Sequence, residues 1–316
     1  MTDLYPPGSE DLELFSSPVC RLPFIYRYQI PPFVLGVASL IVIFFLYQIV
    51  GGAITVLFFG FDPHAGQVSG FRIATAAGQI AFILLPTFFL VRLASFRPME
   101  YFRARMPESL PSILFALVGI FSLQQMLQVY LSFQDKIPLP SSIEHFLAPI
   151  KQALEDLTKM LVTSNSRWEL TAVLFVIAFV PAICEEFLFR GLVQRSFEQS
   201  FGRKYGVLYT GIIFGAYHLN PFEFIPLAAL GVYLGFVAMR ANSIWVSACG
   251  HFFNNALAVV AVHLHLDDDA LVLGKATEMS IPLLASSFLV FSGVFAISTY
   301  LFLKVTEPKI LPEAIQ

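Results

Sequence analysis

Long apolar stretches dominate the hydropathy pattern, and short polar segments separate them. Most are near or above the roughly 20 residues that a helix needs to cross a bilayer. Inside lipid, every backbone N–H and C=O group must be hydrogen-bonded within the chain, so spans of this kind form helices. We predict transmembrane helices at about 32–59, 73–93, 110–133, 170–200, 205–219, 222–239, 244–263 and 281–304. The pattern therefore predicts an all-α membrane protein, a polytopic bundle of about eight transmembrane helices.

The segment between the third and fourth spans has a different pattern. Apolar residues recur there at spacings of three and four, while charged residues occupy the other face. The apolar positions are Ile143, Phe146, Leu147, Ile150, Leu154, Leu157 and Leu161. This period predicts one amphipathic helix, which lies on the membrane surface or covers the bundle. Ser141 and Glu144 have the spacing of a capping box, so we expect the helix to begin there.

Composition supports the membrane class. Hydrophobic residues make up 57% of the chain and charged residues only 13%, against about 25% charged in soluble domains. The net charge of −3 provides no basic surface for nucleic acid, so we expect no nucleic-acid partner. The three cysteines, Cys20, Cys184 and Cys249, imply no disulfide framework.

The chain divides into a bundle and two tails. Residues 1–31 are polar and proline-containing and predict a cytoplasmic or interfacial tail; residues 32–304 form the bundle and residues 305–316 a second tail. With both termini on one side, that side holds about two thirds of the 19 lysines and arginines, and the positive-inside rule makes it cytoplasmic. The acidic run at 267–269 then lies outside. We expect a multi-pass integral membrane protein, in the cytoplasmic (inner) membrane if the source is prokaryotic.

Two adjacent glutamates, Glu185 and Glu186, interrupt the fourth apolar run at membrane depth. An ionisable group at the bilayer centre costs roughly 2.5–3.5 kcal/mol on insertion scales, and such groups are rarely kept without a partner or a function. Arg190 follows Glu186 by four residues, the favourable order for an ion pair on a helix. Adjacent residues differ by about 100° around a helix, so Glu185 faces another direction. Pro181, one turn earlier, removes a backbone hydrogen bond and predicts a kink.

Two further spans carry histidine at membrane depth. His218 follows Phe214 by four residues in the fifth span, and Asn255 follows His251 by four residues in the seventh. Each spacing places the pair on one face of its helix. Glu185 and both histidines lie at compatible depths if the fourth helix continues to about residue 200. The spacing therefore predicts that a carboxylate, two imidazoles and a carboxamide converge inside the membrane.

The chemistry typical of such a set is activation of water. A glutamate and a histidine can together deprotonate water for attack on a carbonyl carbon. A histidine and an asparagine can donate hydrogen bonds to the oxyanion that develops. Alternatively, Glu185, His218 and His251 could hold a Zn²⁺ ion with one open position. The residues alone leave both the metal-free and the zinc mechanism open.

Three motifs follow one another on successive hydrophobic segments: E-E-x-x-x-R at 185–190, F-x-x-x-H at 214–218 and H-x-x-x-N at 251–255. In this order they resemble the CPBP family of intramembrane proteases. That family contains the type II CAAX prenyl-endopeptidases and the bacterial Abi or bacteriocin-processing proteins. The resemblance covers roughly residues 170–266, which it marks as the catalytic core. It implies a bundle of about eight transmembrane helices with a conical cavity open to the membrane and the cytosol.

The resemblance also implies a role for each matched residue. Glu185 and His218 would activate water, and His251 and Asn255 would stabilise the oxyanion. Glu186 and Arg190 would support these four residues. The implied activity is hydrolysis of a peptide bond in a membrane-associated substrate. The implied partners are the lipid bilayer and a peptide or lipidated peptide. Some members are described as metalloproteases, so the cofactor is either none or zinc.

Two other functions compete with proteolysis. A non-catalytic scaffold or immunity protein could keep the bundle and act by binding, and loss of a catalytic residue would favour it; none is lost here. A proton-coupled transporter could use the buried acid and histidines, and internal repeats would favour it. We find no internal repeat in the sequence. Proteolysis is therefore the function that we expect.

Overall fold

A computed structural model describes residues 22–60, 65–138, 140–266 and 280–307. Within these ranges the chain is helical and contains no strand. The helices, numbered in chain order, are α1 Phe24–Arg27, α2 Pro32–Phe59, α3 Val68–Val91, α4 Pro98–Tyr101, α5 Pro111–Gln134, α6 Ser141–Val162, α7 Arg167–Phe201, α8 Arg203–Tyr217, α9 Phe224–Ala241, α10 Ile244–His263 and α11 Ile281–Val305.

Seven helices of the described ranges, α2, α3, α5, α7, α9, α10 and α11, are long and apolar enough to cross a membrane. The predicted all-α polytopic class is therefore confirmed, and the predicted spans match these helices to within a few residues at each end. The predicted fifth span forms α8, whose 15 residues are fewer than the roughly 20 that a crossing helix needs. α8 packs as a short helix between α7 and α9.

In two of the long helices, a π-helical segment, which is wider than an α-helical turn, precedes a proline. In α3 the segment Ile80–Leu84 is π-helical and Pro86 comes shortly after it; in α7 the segment Leu174–Phe179 is π-helical and Pro181 comes shortly after it. Proline offers no N–H to the carbonyl four residues earlier, and its ring clashes with that carbonyl. The wider π turn makes room for the ring. A further π segment, Phe187–Val193, directly follows the two glutamates.

Glycines let α8 and α9 touch backbone to backbone. A Cβ atom at Gly211 would come 2.5 Å from the Val232 nitrogen, and one at Gly231 would come 2.8 Å from the Gly211 carbonyl oxygen. Gly202 turns the chain between α7 and α8 with a φ of 84°, a left-handed conformation that favours glycine. These contacts hold α8 against its neighbours, so His218, directly after α8, has a fixed position in the bundle.

The predicted amphipathic helix is α6, and its apolar face lies on the outside of the protein. Ile143, Phe146 and Ile150 are 45%, 69% and 40% exposed. Exposing large apolar side chains of this kind to water is unfavourable in free energy. Their exposure therefore agrees with a helix that lies against lipid.

The capping box predicted at Ser141 is wrong. Pro140, with extended backbone angles, already occupies the N-cap position without a side-chain hydrogen bond, and Ser141 is the first helical residue. A capping arrangement occurs instead at the start of α7. There the Ser166 hydroxyl accepts from the Glu169 N–H at 3.2 Å, and the Glu169 carboxylate accepts from the Asn165 N–H at 2.8 Å.

Arg72 anchors the C-terminal end of α6 to the bundle. Its guanidinium donates to the carbonyl oxygens of Met160 at 2.8 Å and Leu161 at 2.9 Å, and also to that of Thr163. The same group forms an ion pair with Glu169 at 2.9 Å. The last carbonyls of a helix have no partner within the helix. An arginine of α3 therefore closes the end of α6 and joins it to α7.

Several predictions fall outside the described residues. They concern residues 1–21 of the first tail, the acidic run at 267–269, and residues 308–316 of the second tail. The division into two tails and a bundle, with its orientation in the membrane, therefore stays a prediction.

Candidate active site

Helix α7 places both glutamates and an arginine in the protein interior. Glu186 and Arg190 are 0% and 1% exposed, and Arg190 Nη1 donates to Glu186 Oε1 at 2.7 Å. Arg190 Nη2 donates to the Gly231 carbonyl oxygen of α9 at 3.0 Å. The structure thus contains the ion pair expected from the spacing, and this pair is tied to a neighbouring helix. The Glu185 carboxylate lies outside it.

His251, on α10, lies between the two glutamates. Its ring is buried; Nδ1 lies 3.0 Å from Glu186 Oε1 and Nε2 lies 3.9 Å from Glu185 Oε2. Because Glu186 is the anionic partner of Arg190, its oxygen accepts and His251 Nδ1 carries the proton. The lone pair of the neutral ring is then on Nε2 and faces Glu185. A carboxylate fixes the histidine tautomer in the same way in a catalytic triad.

His218 lies directly after the end of α8 and approaches Glu185 from another side. Its Nδ1 atom lies 2.7 Å from the Phe214 carbonyl oxygen. Since a carbonyl oxygen only accepts, Nδ1 carries the proton and Nε2 has the lone pair. His218 Nε2 lies 3.8 Å from Glu185 Oε2, and the His218 side chain is 31% exposed against 15% for Glu185. His218 is therefore the outward-facing member of the set.

Three acceptor atoms thus converge: Glu185 Oε2 and the Nε2 atoms of His218 and His251. Glu185 Oε2 is buried and has no hydrogen-bond partner among the described residues. Its separations of 3.8 and 3.9 Å from the two nitrogens are too long for direct hydrogen bonds. They allow one water molecule to lie about 2.7–3.2 Å from the carboxylate and from an imidazole at the same time. The arrangement can therefore accept protons from a small donor such as water.

The Phe214 ring packs among the charged groups of the site. The Arg190 guanidinium lies over this ring at 4.5 Å from its centroid, a favourable cation–π arrangement. The ring also meets the His218 ring at 4.7 Å and the His251 ring at 5.7 Å, both edge-on. Because its carbonyl also holds His218, Phe214 positions both histidines through its ring and its backbone.

Asn255 lies one turn beyond His251 on α10. Its Nδ2 atom lies 3.5 Å from the Ile177 carbonyl oxygen, the carbonyl that Pro181 leaves without its usual helical donor. This distance is long for a hydrogen bond. The Asn255 Oδ1 atom accepts from Asn254 Nδ2 at 3.2 Å. The structure therefore places Asn255 beside the widened turn of α7, with a second amide N–H available for another acceptor.

The buried polar stripe on α7 continues beyond the residues that the sequence motifs identified. Gln194 and Glu198 follow Arg190 at further intervals of four and are 0% and 7% exposed. Gln194 Nε2 donates to Glu198 Oε1 at 2.8 Å and to the Gly235 carbonyl oxygen at 3.1 Å. Repetition of polar residues every four positions is the sequence signal for this stripe. It holds α7 against α9 one turn beyond the contact that Arg190 makes.

Helices α2 and α3 contain none of the three motifs, but they also contact the surroundings of the candidate active site. Gln79 Nε2 donates to the Tyr47 hydroxyl at 3.4 Å, and Gln48 Nε2 donates to the Tyr217 carbonyl oxygen at 3.3 Å. Both tyrosines pack against the apolar cluster that contains Cys184. A single tyrosine or glutamine in an apolar run is a weak sequence signal, and sequence reasoning did not identify Tyr47 or Gln79.

Glu223 lies on the outward-facing side of the site, at the N-cap position of α9. The residue is exposed, but the chain around its carboxyl group partly desolvates it and raises the pKa of Glu223, an effect that His218 opposes.

The donor set does not fit a zinc ion. Zn²⁺ bonds of about 2.0–2.2 Å place tetrahedral ligand atoms about 3.3–3.5 Å apart, whereas Glu185 Oε2 lies 3.8 and 3.9 Å from the two histidine nitrogens. Within the described ranges, no group of three or more His, Cys, Asp or Glu side chains is arranged to hold a metal ion. The histidine tautomers suit a metal, but the spacing does not.

Residues 167–257 match the sequence model of a family described as type II CAAX prenyl endopeptidase Rce1-like. The match runs from α7 into α10 and includes every residue of the three motifs. No curated protein and no solved structure matches the chain. The resemblance to CPBP-family intramembrane proteases is therefore confirmed over this segment. Over residues 167–257 the chain is therefore similar to type II CAAX prenyl endopeptidases, and this segment lies within a helical protein that has several candidate membrane spans.

Proposed function

Starting from the Rce1-like segment at residues 167–257, we propose that the protein is an intramembrane endopeptidase in which Glu185 and His218 activate the attacking water. The observation that carries this proposal is the convergence of Glu185 Oε2 with two imidazole Nε2 atoms at 3.8 and 3.9 Å. Both rings are fixed through Nδ1, so their lone pairs are directed towards one carboxylate. Such an acceptor set suits proton removal from water.

The reaction begins with a water molecule between Glu185 and His218. It has two protons to donate: one goes to Glu185 Oε2, and the other forms a hydrogen bond to His218 Nε2. As Glu185 takes its proton, the water oxygen attacks the carbonyl carbon of the scissile peptide bond. A C–O bond forms, and the electron pair of the carbonyl moves onto its oxygen as an oxyanion. Glu185 is the general base in this step.

The oxyanion needs hydrogen-bond donors, and His251 and Asn255 are the proposed donors. Asn255 has one amide N–H beyond the one directed at the Ile177 carbonyl oxygen. The His251 ring starts neutral; in this proposal it takes up a second proton from solvent on Nε2 as the substrate binds, donates that N–H to the oxyanion, and keeps its Nδ1–H bound to Glu186. The C=O bond then re-forms and the C–N bond breaks. The leaving nitrogen takes the proton from Glu185, and the products are an acid and an amine.

The substrate enters from the bilayer side of the bundle in this proposal. His218 is the exposed member of the set, with its side chain 31% exposed, and the segment that follows it, between α8 and α9, contains the exposed Glu223. A membrane-associated peptide or lipidated peptide can therefore approach Glu185 without unfolding of the bundle. The remaining helices of residues 32–304 pack against the core at about 170–266.

The test is a comparison of peptide ends in membranes that contain the wild-type protein, Glu185→Gln or Glu100→Gln. We expect at least one membrane-associated protein to show a new C-terminus or N-terminus with the wild type and with Glu100→Gln, but not with Glu185→Gln. Glu100 is exposed, with its side chain 70% accessible, and serves as the matched control. Identical peptide ends in all three samples would contradict proteolysis.

We further expect cleavage to persist after metal removal. Purified protein dialysed against a chelator should keep its full rate, because the spacing of the three acceptor atoms is too wide for a zinc ion. Elemental analysis of the same active sample should find no stoichiometric zinc. A known zinc peptidase treated in parallel should lose activity. Loss of activity that returns with added Zn²⁺ would show that the site contracts around a metal.

A further inference from the structure

A cavity of about 670 Å³ lies at one end of the bundle and contains none of the candidate active-site residues. It is formed where α5 and α8 begin and where α9 and α11 end. Since α5, α9 and α11 are candidate spans, their ends lie at the level of the lipid headgroups. A volume of this size is typical of pockets for small molecules.

Three arginines line this cavity: Arg105, Arg203 and Arg240. None of them forms an ion pair with a carboxylate of the described residues, in contrast to Arg72, Arg103 and Arg190 elsewhere in the same bundle. The cavity also contains Glu108 and Glu307, so three positive and two negative side chains give its lining a net formal charge of +1.

Backbone carbonyls hold two of the guanidinium groups in place. Arg105 Nε donates to the Asn242 carbonyl oxygen at 3.1 Å, and Arg240 Nη2 donates to the Leu303 carbonyl oxygen at 3.3 Å. These neutral acceptors orient the groups but leave their charge uncompensated. Arg240 Nε is buried and has no hydrogen-bond partner among the described residues. The Ser243 hydroxyl donates to the Arg105 carbonyl oxygen at 2.5 Å, so the wall of the cavity is fixed before any ligand binds.

The lining combines these donors with apolar side chains. Leu110, Met239 and Val305 belong to the same cavity, and Leu110 is 63% exposed on the outside of the bundle. A ligand with a negative group and an adjoining hydrocarbon chain meets both parts of the lining. Basic pockets between the ends of transmembrane helices bind anionic lipid headgroups for this reason.

We propose that this cavity binds the phosphodiester group of an anionic glycerophospholipid, with Arg105, Arg203 and Arg240 as its donors and Leu110, Met239 and Val305 against the start of its acyl chains. One phosphodiester brings the formal charge of lining and ligand to zero. Arginine suits this role because its planar fork matches a phosphate group with two hydrogen bonds. The cavity contains none of the candidate catalytic residues, so the lipid proposal can be tested independently of the catalytic proposal.

The test uses the full-length protein in a neutral detergent and measures its unfolding temperature against added ligand. Short-chain phosphatidylglycerol, short-chain phosphatidylcholine and inorganic phosphate are compared. We expect phosphatidylglycerol to raise the unfolding temperature with saturation, and phosphatidylcholine to have no such effect. Inorganic phosphate should bind far more weakly, since it lacks the hydrocarbon part. Equal effects of phosphatidylglycerol and phosphate would overturn a lipid as the ligand, and equal effects of the two lipids would overturn recognition of charge.

Two matched double variants locate the binding. R105Q/R240Q should weaken phosphatidylglycerol binding roughly 30-fold, because each arginine near an anionic headgroup contributes roughly fivefold. R92Q/R97Q removes the same charge outside the cavity and should bind as the wild type does. If R105Q/R240Q fails to fold, R203Q alone tests the site, because the Arg203 side chain makes no hydrogen bond or ion pair among the described residues; about fivefold weakening is expected. Unchanged binding by R203Q and R105Q/R240Q, or equal weakening by R92Q/R97Q, would overturn the proposal.

Discussion

Glu185→Gln is expected to lower kcat/KM for peptide cleavage about 10³-fold, because a general base contributes between about 10² and 10⁴ in rate. Glutamine has nearly the same size and shape as glutamate, so the packing around this side chain is kept. Its carboxamide cannot take a proton from water. Glu185 Oε2 has no hydrogen-bond partner among the described residues, so the change breaks no contact that holds the fold together.

The measurement is the initial rate of cleavage by purified protein, with the substrate identified from the peptide ends. Unfolding temperature of the same samples should change little between wild type and Glu185→Gln. His218→Ala should also lose activity, since the Nε2 acceptor is removed. Glu100→Gln, the same chemical change at an exposed carboxylate, controls for the loss of one negative charge. Cleavage by Glu185→Gln at the wild-type rate would show that another group is the base.

The sequence predicts the architecture well because one physical quantity dominates it. Long apolar runs can exist in lipid only as helices, so the spans follow from hydropathy alone. The exception is the fifth predicted span. Its apolar residues form α8, a helix of 15 residues that packs on α7 and α9. Hydropathy cannot distinguish a short helix at the outside of the bundle, where Leu208 and Ile212 are each 42% exposed, from a membrane span.

Within the site, the sequence predicts contacts along a helix better than contacts between helices. The Glu186–Arg190 pair follows from an i,i+4 spacing, whereas the Gly231 carbonyl that also binds Arg190 has no side-chain signal. The position of His251 between both glutamates depends on how α7 and α10 cross. Two π segments in α7 also rotate the helix locally, so angles counted on an ideal α-helix apply only over a turn or two.

Arg190→Met is expected to destabilise the protein by about 3–5 kcal/mol, the usual cost of removing one partner of a buried ion pair. Glu186 is 0% exposed, and without Arg190 its negative charge would stay in the interior with no cation to balance it, although His251 Nδ1 would still donate to it. The contact to the Gly231 carbonyl oxygen of α9 would be lost as well. The measurement is chemical unfolding of the protein in detergent, compared with wild type and with Glu186→Gln. An unfolding free energy equal to that of wild type would show that the pair does not stabilise the bundle.

The double variant Glu186→Gln/Arg190→Met separates the stability of the bundle from the chemistry of the site. Replacing a whole buried pair by hydrophobic side chains of similar size is often neutral for stability. Here the glutamine stays polar but carries no charge, so the double variant should recover most of what Arg190→Met loses. The cleavage rate of the double variant should remain at least about 10²-fold below that of wild type. The carboxamide that replaces the Glu186 carboxylate no longer fixes the His251 tautomer, and the same change in a catalytic triad lowers kcat about 10⁴-fold. If the double variant regained both stability and activity, the role of Glu186 and Arg190 would be structural only. That result would also show that His251 Nε2 is directed towards Glu185 without the Glu186 carboxylate.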